Sequence, residues 1–172
     1  PISHRGLAAS FHVVTAHTRD ERHGENYGNL AQLEGTLVFL MGLGRVREIC
    51  DGLLAAGKDP ETPAAVISKA TRWEQRTITA PLRELAEQVE RAGPEAPAMV
   101  VVGRVISLRP ELDFYERLPL FGKNILVTRT NHQSAGLCER LESLGAETVR
   151  APMLELRAIP GALNDALEHI EA

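Results

Sequence analysis

The chain has 172 residues, 44% of them hydrophobic and 24% charged, which is the composition of a soluble α/β protein of one medium or two small domains. A formal net charge of -4 argues against sequence-independent nucleic-acid binding, which needs a surplus of Lys and Arg to displace counterions from phosphate. No apolar run approaches the roughly 20 residues that span a bilayer, so neither membrane nor nucleic acid is an expected partner, and a cytoplasmic location is expected.

The chain opens at Pro1 without an initiator Met and stops inside a helical pattern at Ala172, so it reads as an excerpt of a longer polypeptide. After a mixed entry segment, residues 10–17 form a first strand rich in β-branched side chains. The polar stretch 18–29 breaks it. Asp20, Glu21, His23 and Glu25 lie there close behind His17, but these metal-binding residue types lack the fixed spacing a helix imposes. A solvated loop is expected, and no metal.

The stretch from Gly35 to Gly44 anchors the rest. Leu37 to Met41 is an unbroken apolar run with glycine close on both sides, which predicts a central strand buried on both faces. Gly42 and Gly44 follow at its carboxyl end, where a missing Cβ permits a sharp turn and the approach of a ligand to main-chain amides. The plainer reading is a core strand that ends in a turn, with Met41 as pliable core filler.

Val46, Ile49, Cys50, Leu53 and Leu54 recur at helical spacing and end at Gly57. Residues 63–68 make the next strand, closed by the small pair Ala70-Thr71. A polar stretch with the only tryptophan, Trp73, leads to a short strand at 76–79, so a hairpin is expected. Pro81 suits a first helical turn, Leu82, Leu85, Ala86 and Val89 give the buried stripe, and Gly93-Pro94 stops it. Residues 98–108 are the longest strand expected, with a bend at Gly103.

From Arg109 to Phe121 the periodicity lapses among prolines and three aromatics, which places a boundary there. Beyond it a βαβ unit begins, with strands at 124–128 and 147–149 around a helix that carries Leu137, Cys138, Leu141 and Leu144 inward and stops at Gly145. Residues 151–159 extend the second strand despite Pro152, and Leu163, Ala166, Leu167 and Ile170 start another helix. Cys50 and Cys138 both lie on apolar helical stripes, so reduced, buried thiols are expected.

Several stretches together resemble the tetrapyrrole methylases, and within them the branch that methylates uroporphyrinogen III. They are Pro1-Ile2-Ser3-His4-Arg5-Gly6, the segment from Gly35 to Gly42, Ala70-Thr71 with Gln75-Arg76, and Val102-Gly103-Arg104-Val105. The chain departs from the family pattern at Ile2, Ser3, Ala16 and Ala80-Pro81. The piece from Phe121, with Gly122 to Arg129 and Leu144-Gly145-Ala146-Glu147, is similar to the beginning of uroporphyrinogen-III synthases. The resemblance therefore implies the C-terminal α/β domain of a methylase at 1–112, a mixed sheet flanked by helices. A linker at 113–121 and the start of a synthase-like domain at 122–172 follow.

It implies methyl transfer from S-adenosylmethionine to uroporphyrinogen III, giving precorrin-2 for siroheme and cobalamin synthesis. Met41 and Ala70, with Thr71 beside it, are the implied cofactor contacts. The family's glycine-rich loop, Gly-Gly-Asp segment and acid/base residues lie upstream of Pro1, so no catalytic residue is assigned and the chain alone is expected to be inactive. A substrate with many carboxylates calls for guanidinium forks, and Arg5 and Arg76 are the candidates, although each reads equally as an ordinary surface or ion-paired arginine. Thr128-Arg129 carries no assignment. The alternatives are a methylase of a later precorrin and a non-catalytic α/β dimerisation module; a homodimer is common in the family.

Overall fold

A computed structural model describes residues 1–16 and 26–155. The loop of acidic residues and histidine behind His17 and the helix expected at 163–170 lie outside the described residues. Strands β1 (Phe11–Thr15), β2 (Thr36–Leu40), β3 (Pro63–Ser68), β4 (Arg76–Pro81) and β5 (Ala98–Val102) form one mixed sheet in the order β1-β2-β5-β3-β4. β1 and β2 are parallel, and every other pairing is antiparallel. The expected mixed α/β architecture and the β3–β4 hairpin are both present.

Register explains the core. Leu37 pairs with Val102 and Phe39 with Val100, while Ala64 and Val66 pair with the same two valines from the other side of β5. These six side chains share one face and pack in a single cluster with Ile49 and Leu53 of α2 (Val46–Ala55) and Leu82 and Leu85 of α3 (Leu82–Ala92). The period-2 strands and period-3.6 helices thus bury matching apolar surfaces. The opposite face carries Val13, Val38, Leu40, Ala65, Met99 and Val101. It is covered only in part, by a 3-10 turn at Arg104–Leu108 and by α4 (Arg109–Leu112), with Val105 buried.

Three expectations require correction. β2 is interior, but the middle strand is β5. β5 also ends at Val102 rather than Leu108, because Gly103 takes φ 150° and a Cβ there would lie 3.2 Å from the Thr36 Cα, so the chain turns away against β2. Third, the expected loop at 18–29 gives way at its end to a short helix, α1 (Tyr27–Ala31). The Asn26 side chain accepts a hydrogen bond from the Asn29 N–H, and the Tyr27 ring occupies the space a Cβ at Gly52 would fill, 2.5 Å away.

The second sheet has two parallel strands, β6 (Asn124–Val127) and β7 (Glu147–Arg150), joined by α5 (Asn131–Ser143), as the βαβ pattern predicts. Residues 151–155 do not extend β7. The segment 113–121 runs between the two sheets. The Leu120 N–H donates to the Leu144 carbonyl at 2.9 Å, and Tyr115 meets Phe121 edge to face at 5.5 Å between ring centres. Cys50 and Cys138 are both buried and unbridged, and burial beside Asp51 pushes the Cys50 thiol up to about 11.

Candidate functional site

β2 and β3 both run antiparallel to β5, and β1 is parallel to β2, so the carboxyl ends of β1, β2 and β3 reach the same edge of the sheet. The backbone is unusual there. Met41 (φ 55°), Lys69 (φ 48°) and Thr71 (φ 67°) are the only non-glycine residues with positive φ among the described residues, and all three follow β2 or β3 at this edge. Side chains avoid that region, β-branched ones most of all, so the surroundings must enforce it.

At the end of β2 the turn is made by Met41 itself and not by a glycine. Gly42 has φ -86°; its lack of a side chain is a packing need, since a Cβ would come within 3.1 Å of both Ile49 and Val100. The left-handed turn throws Met41 outward, and it is 61% exposed. The core-filler reading is therefore wrong. Beside it, Ala16 is fully buried; its N–H donates to the Leu40 carbonyl at 2.9 Å, and its own carbonyl accepts from the Arg45 guanidinium. The departure at Ala16 thus leaves the end of β1 firmly held.

The loop after β3 is clamped from within. The Lys69 N–H donates to the Pro97 carbonyl at 2.8 Å, and its ammonium pairs with Glu74 and Glu95, each at 2.7 Å. The hydrogen bonds it donates to Glu74 and Glu95 hold the Lys69 pKa above its ordinary value. Thr71 is fully engaged through its backbone: its N–H donates to Gln75 Oε1 at 2.7 Å, and its carbonyl accepts from the Tyr115 hydroxyl at 2.6 Å. Ala70, half-buried between them, makes no hydrogen bond through its N–H or C=O among the described residues. An exposed thioether on one strand end and an unused amide donor and acceptor beyond another, with one strand between them, offer what a purine base is bound by: an apolar surface and an edge that both gives and takes hydrogen bonds.

The two arginines fare differently. Arg76 lies at this same edge, paired with Ser68, but its guanidinium donates to the Ala92 carbonyl at 3.2 Å, satisfying the end of α3. Arg5 is exposed on the turn closed by His4 and Ala8. It directly precedes Gly6, which lines a cavity of about 980 Å³ with Ser10, Gly35 and Pro63 at the amino end of the strands, opposite Met41. The fold therefore gathers Met41, Ala70, Thr71 and Arg76 and leaves Arg5 elsewhere. No group of three potential metal ligands occurs among the described residues, and none of their helices is long and apolar enough to cross a membrane.

Sequence reasoning missed Lys69, Tyr115 and Glu116. Glu116 Oε1 accepts from Gln75 Nε2 at 3.0 Å and Thr77 Oγ1 at 2.6 Å, while its Oε2 accepts from Arg109 at 2.6 Å. Burial pushes this carboxyl up, yet the bonds from Gln75 and Thr77 and the Arg109 charge outweigh it and hold the pKa below the usual carboxylate range. The only available signal was Gln75, which stood in a recognised motif without an assigned partner.

Residues 2–86 match the model of the tetrapyrrole (corrin/porphyrin) methylases. The chain is 36% identical to the porphyrin biosynthesis protein HemD of Ruminiclostridium josui over 98% of its own length and 33% of that protein. It is 38% identical to a siroheme synthase of Hydrogenovibrio crunogenus over 65% of its length and 24% of that protein, so the chain spans a third or less of these curated relatives. Among solved structures it is similar to uroporphyrin-III C-methyltransferase from Thermus thermophilus in complex with S-adenosylhomocysteine. The TM-score is 0.54 and the identity 34%, over 63% of this chain and 46% of that one. With its fold shared by tetrapyrrole methyltransferases, the segment 2–86 belongs to the tetrapyrrole methylase family.

Proposed function

We propose that this chain is the carboxyl-terminal portion of an S-adenosylmethionine-dependent C-methyltransferase that converts uroporphyrinogen III to precorrin-2, continuing into the start of a uroporphyrinogen-III synthase unit. One observation carries the reading: the three left-handed non-glycine residues converge on one sheet edge, with Met41 exposed and the Ala70 amide and carbonyl unused. Met41, Ala70 and Thr71 form half the seat of the adenosine group. Met41 lies against the base, and Ala70 leaves its main chain open to the base edge. The cofactor supplies a methyl group on a sulfonium, whose C–S electron pair stays on sulfur when the methyl passes to a ring carbon and the tetrapyrrole loses a proton. In line placement of that carbon needs the amino-terminal half, so residues 1–172 alone do not catalyse the transfer.

The domains run 1–112, 113–121 and 122–172. Arg5 and Arg76 remain the proposed carboxylate contacts; Arg76 is the better placed, at the cost of its bond to Ala92. The test is transfer of label from methyl-labelled S-adenosylmethionine to uroporphyrinogen III by the full-length chain. Labelled precorrin-2 is expected, and an unlabelled tetrapyrrole contradicts the reading. Label appearing only with a later precorrin favours the alternative substrate.

A second reading, an α/β dimerisation module, rests on the uncovered sheet face, where Phe11 and Val13 are 51% and 52% exposed beside Leu40. Under it the chain is a dimer in solution that Phe11→Glu dissociates, and the labelled methyl stays on the donor.

A further inference from the structure

The loop Lys69–Gln75 is held from two sides. On one side Lys69 ties it to Glu95 and the Pro97 carbonyl just before β5 and closes it onto Glu74, and on the other further anchors come from the segment after α4. The Tyr115 hydroxyl donates to the carbonyl of left-handed Thr71, and Gln75 bridges Thr71 to Glu116, with its oxygen taking the Thr71 N–H and its amide donating to the carboxylate. Glu116 is in turn fixed to β4 through Thr77 and to α4 through Arg109, which also lies 3.4 Å from Asp113. Farther out, Arg72 in the same loop pairs with Glu147 of β7 at 2.6 Å. Both backbone groups of the most strained residue in the loop are thus committed, directly or through Gln75, to two consecutive residues of the segment joining the sheets.

We infer that Tyr115 and Glu116 are positioning residues for the adenosine seat: the segment after the methylase fold sets the conformation of Thr71, and thereby presents the open main chain of Ala70. The inference rests on the proposed reading of this edge as the cofactor site. It also makes binding there responsive to the βαβ unit, since Glu147 of β7 holds Arg72 in the same loop. A left-handed β-branched residue reverts to an ordinary conformation when its anchors go. Ala70 turns with it.

The test uses Tyr115→Phe, which deletes one hydroxyl and keeps the ring against Phe121, and Glu116→Ala, which removes the hub while leaving Asp113 to pair with Arg109. In the chain without ligand, amide hydrogen exchange is expected to rise about fivefold over 69–75 in Tyr115→Phe, the loss of one net hydrogen bond, with α2 unchanged. In the full-length chain, KM for S-adenosylmethionine is expected to rise by a similar factor of about five with kcat preserved, because Ala70 presents the same groups less often. Exchange over 69–75 that is unaltered in Tyr115→Phe overturns the inference even if Glu116→Ala fails to fold. Faster exchange with an unchanged KM overturns it as well and leaves the cofactor reading intact. A wild-type chain that binds no S-adenosylhomocysteine removes the cofactor reading itself, and with it the role given to the loop.

Discussion

The two sheets of this chain are built to different standards. The five-stranded sheet encloses Leu37, Phe39, Ile49, Leu53, Leu82, Leu85, Val66, Val100 and Val102 with essentially no exposure. In the βαβ unit, Val127, Cys138, Ala146 and Ser134 are the buried side chains among the described residues, while Leu126, Leu137, Leu144 and Val149 remain exposed. The two strands and one helix that the unit has among the described residues cannot bury enough apolar surface to offset chain entropy by themselves. What the contrast teaches is that the unit's order is borrowed. Leu118 and Leu120 of the joining segment pack or hydrogen-bond against Gly145 and Leu144, and Arg72 reaches across to Glu147.

That difference can be pressed from both ends. Phe39→Ala empties the centre of the first core and is expected to cost about 3–5 kcal/mol in urea unfolding; a loss below about 1 kcal/mol would erase the distinction between the two regions. Gly145→Ala attacks the borrowed contact, because φ is +96° and the new Cβ would lie 2.7 Å from the Leu118 Cβ. It is expected to destabilise by about 1–3 kcal/mol, with faster hydrogen exchange in β6, α5 and β7 and none of the change in α2. Equal acceleration in α2 would make the chain one cooperative unit.

Acid should loosen the join next. Glu116 has a folded pKa below its ordinary 4.5, so its contribution is complete above that value and drains away as the pH falls through the lower folded one. Trp73 emission, which reports the adjoining loop, is expected to shift below pH 4.5 in the wild type and not in Glu116→Gln. The same acid shift in both would assign it to another carboxylate. Leu126→Ala, at 57% exposure, should change stability by no more than about 0.5 kcal/mol. A larger loss would mean that a partner surface covers β6.

Much of the frame was legible because its signals are local. Short unbroken apolar runs located β2, β3 and β5, and the stripes at Val46–Leu54 and Leu82–Val89 located the two helices that cover them. The end of β5 was not legible, since Val105 and Ile106 look like strand residues and only the meeting of Gly103 with Thr36 turns the chain. α1 depends on the fit of Tyr27 against Gly52, a contact between residues 25 apart in the chain, about which a window of neighbours is silent. At the edge that holds them, Met41, Ala70 and Thr71 were singled out by resemblance, but the left-handed backbone of Met41 and Thr71 was not foreseen, because no glycine marks it. Tyr115 and Glu116 escaped notice for the same reason that they matter: their partners, Thr71, Gln75 and Thr77, lie some 40 positions earlier.

The central claim is that the exposed side chain at the end of β2 forms part of an adenosine seat. Titration calorimetry of the full-length chain with S-adenosylhomocysteine, wild type against Met41→Trp, tests it most directly. The account predicts binding by the wild type that the indole weakens at least about tenfold, or 1.4 kcal/mol, by filling the space the base requires. Equal affinity in both proteins, or heat of binding in neither, would contradict it.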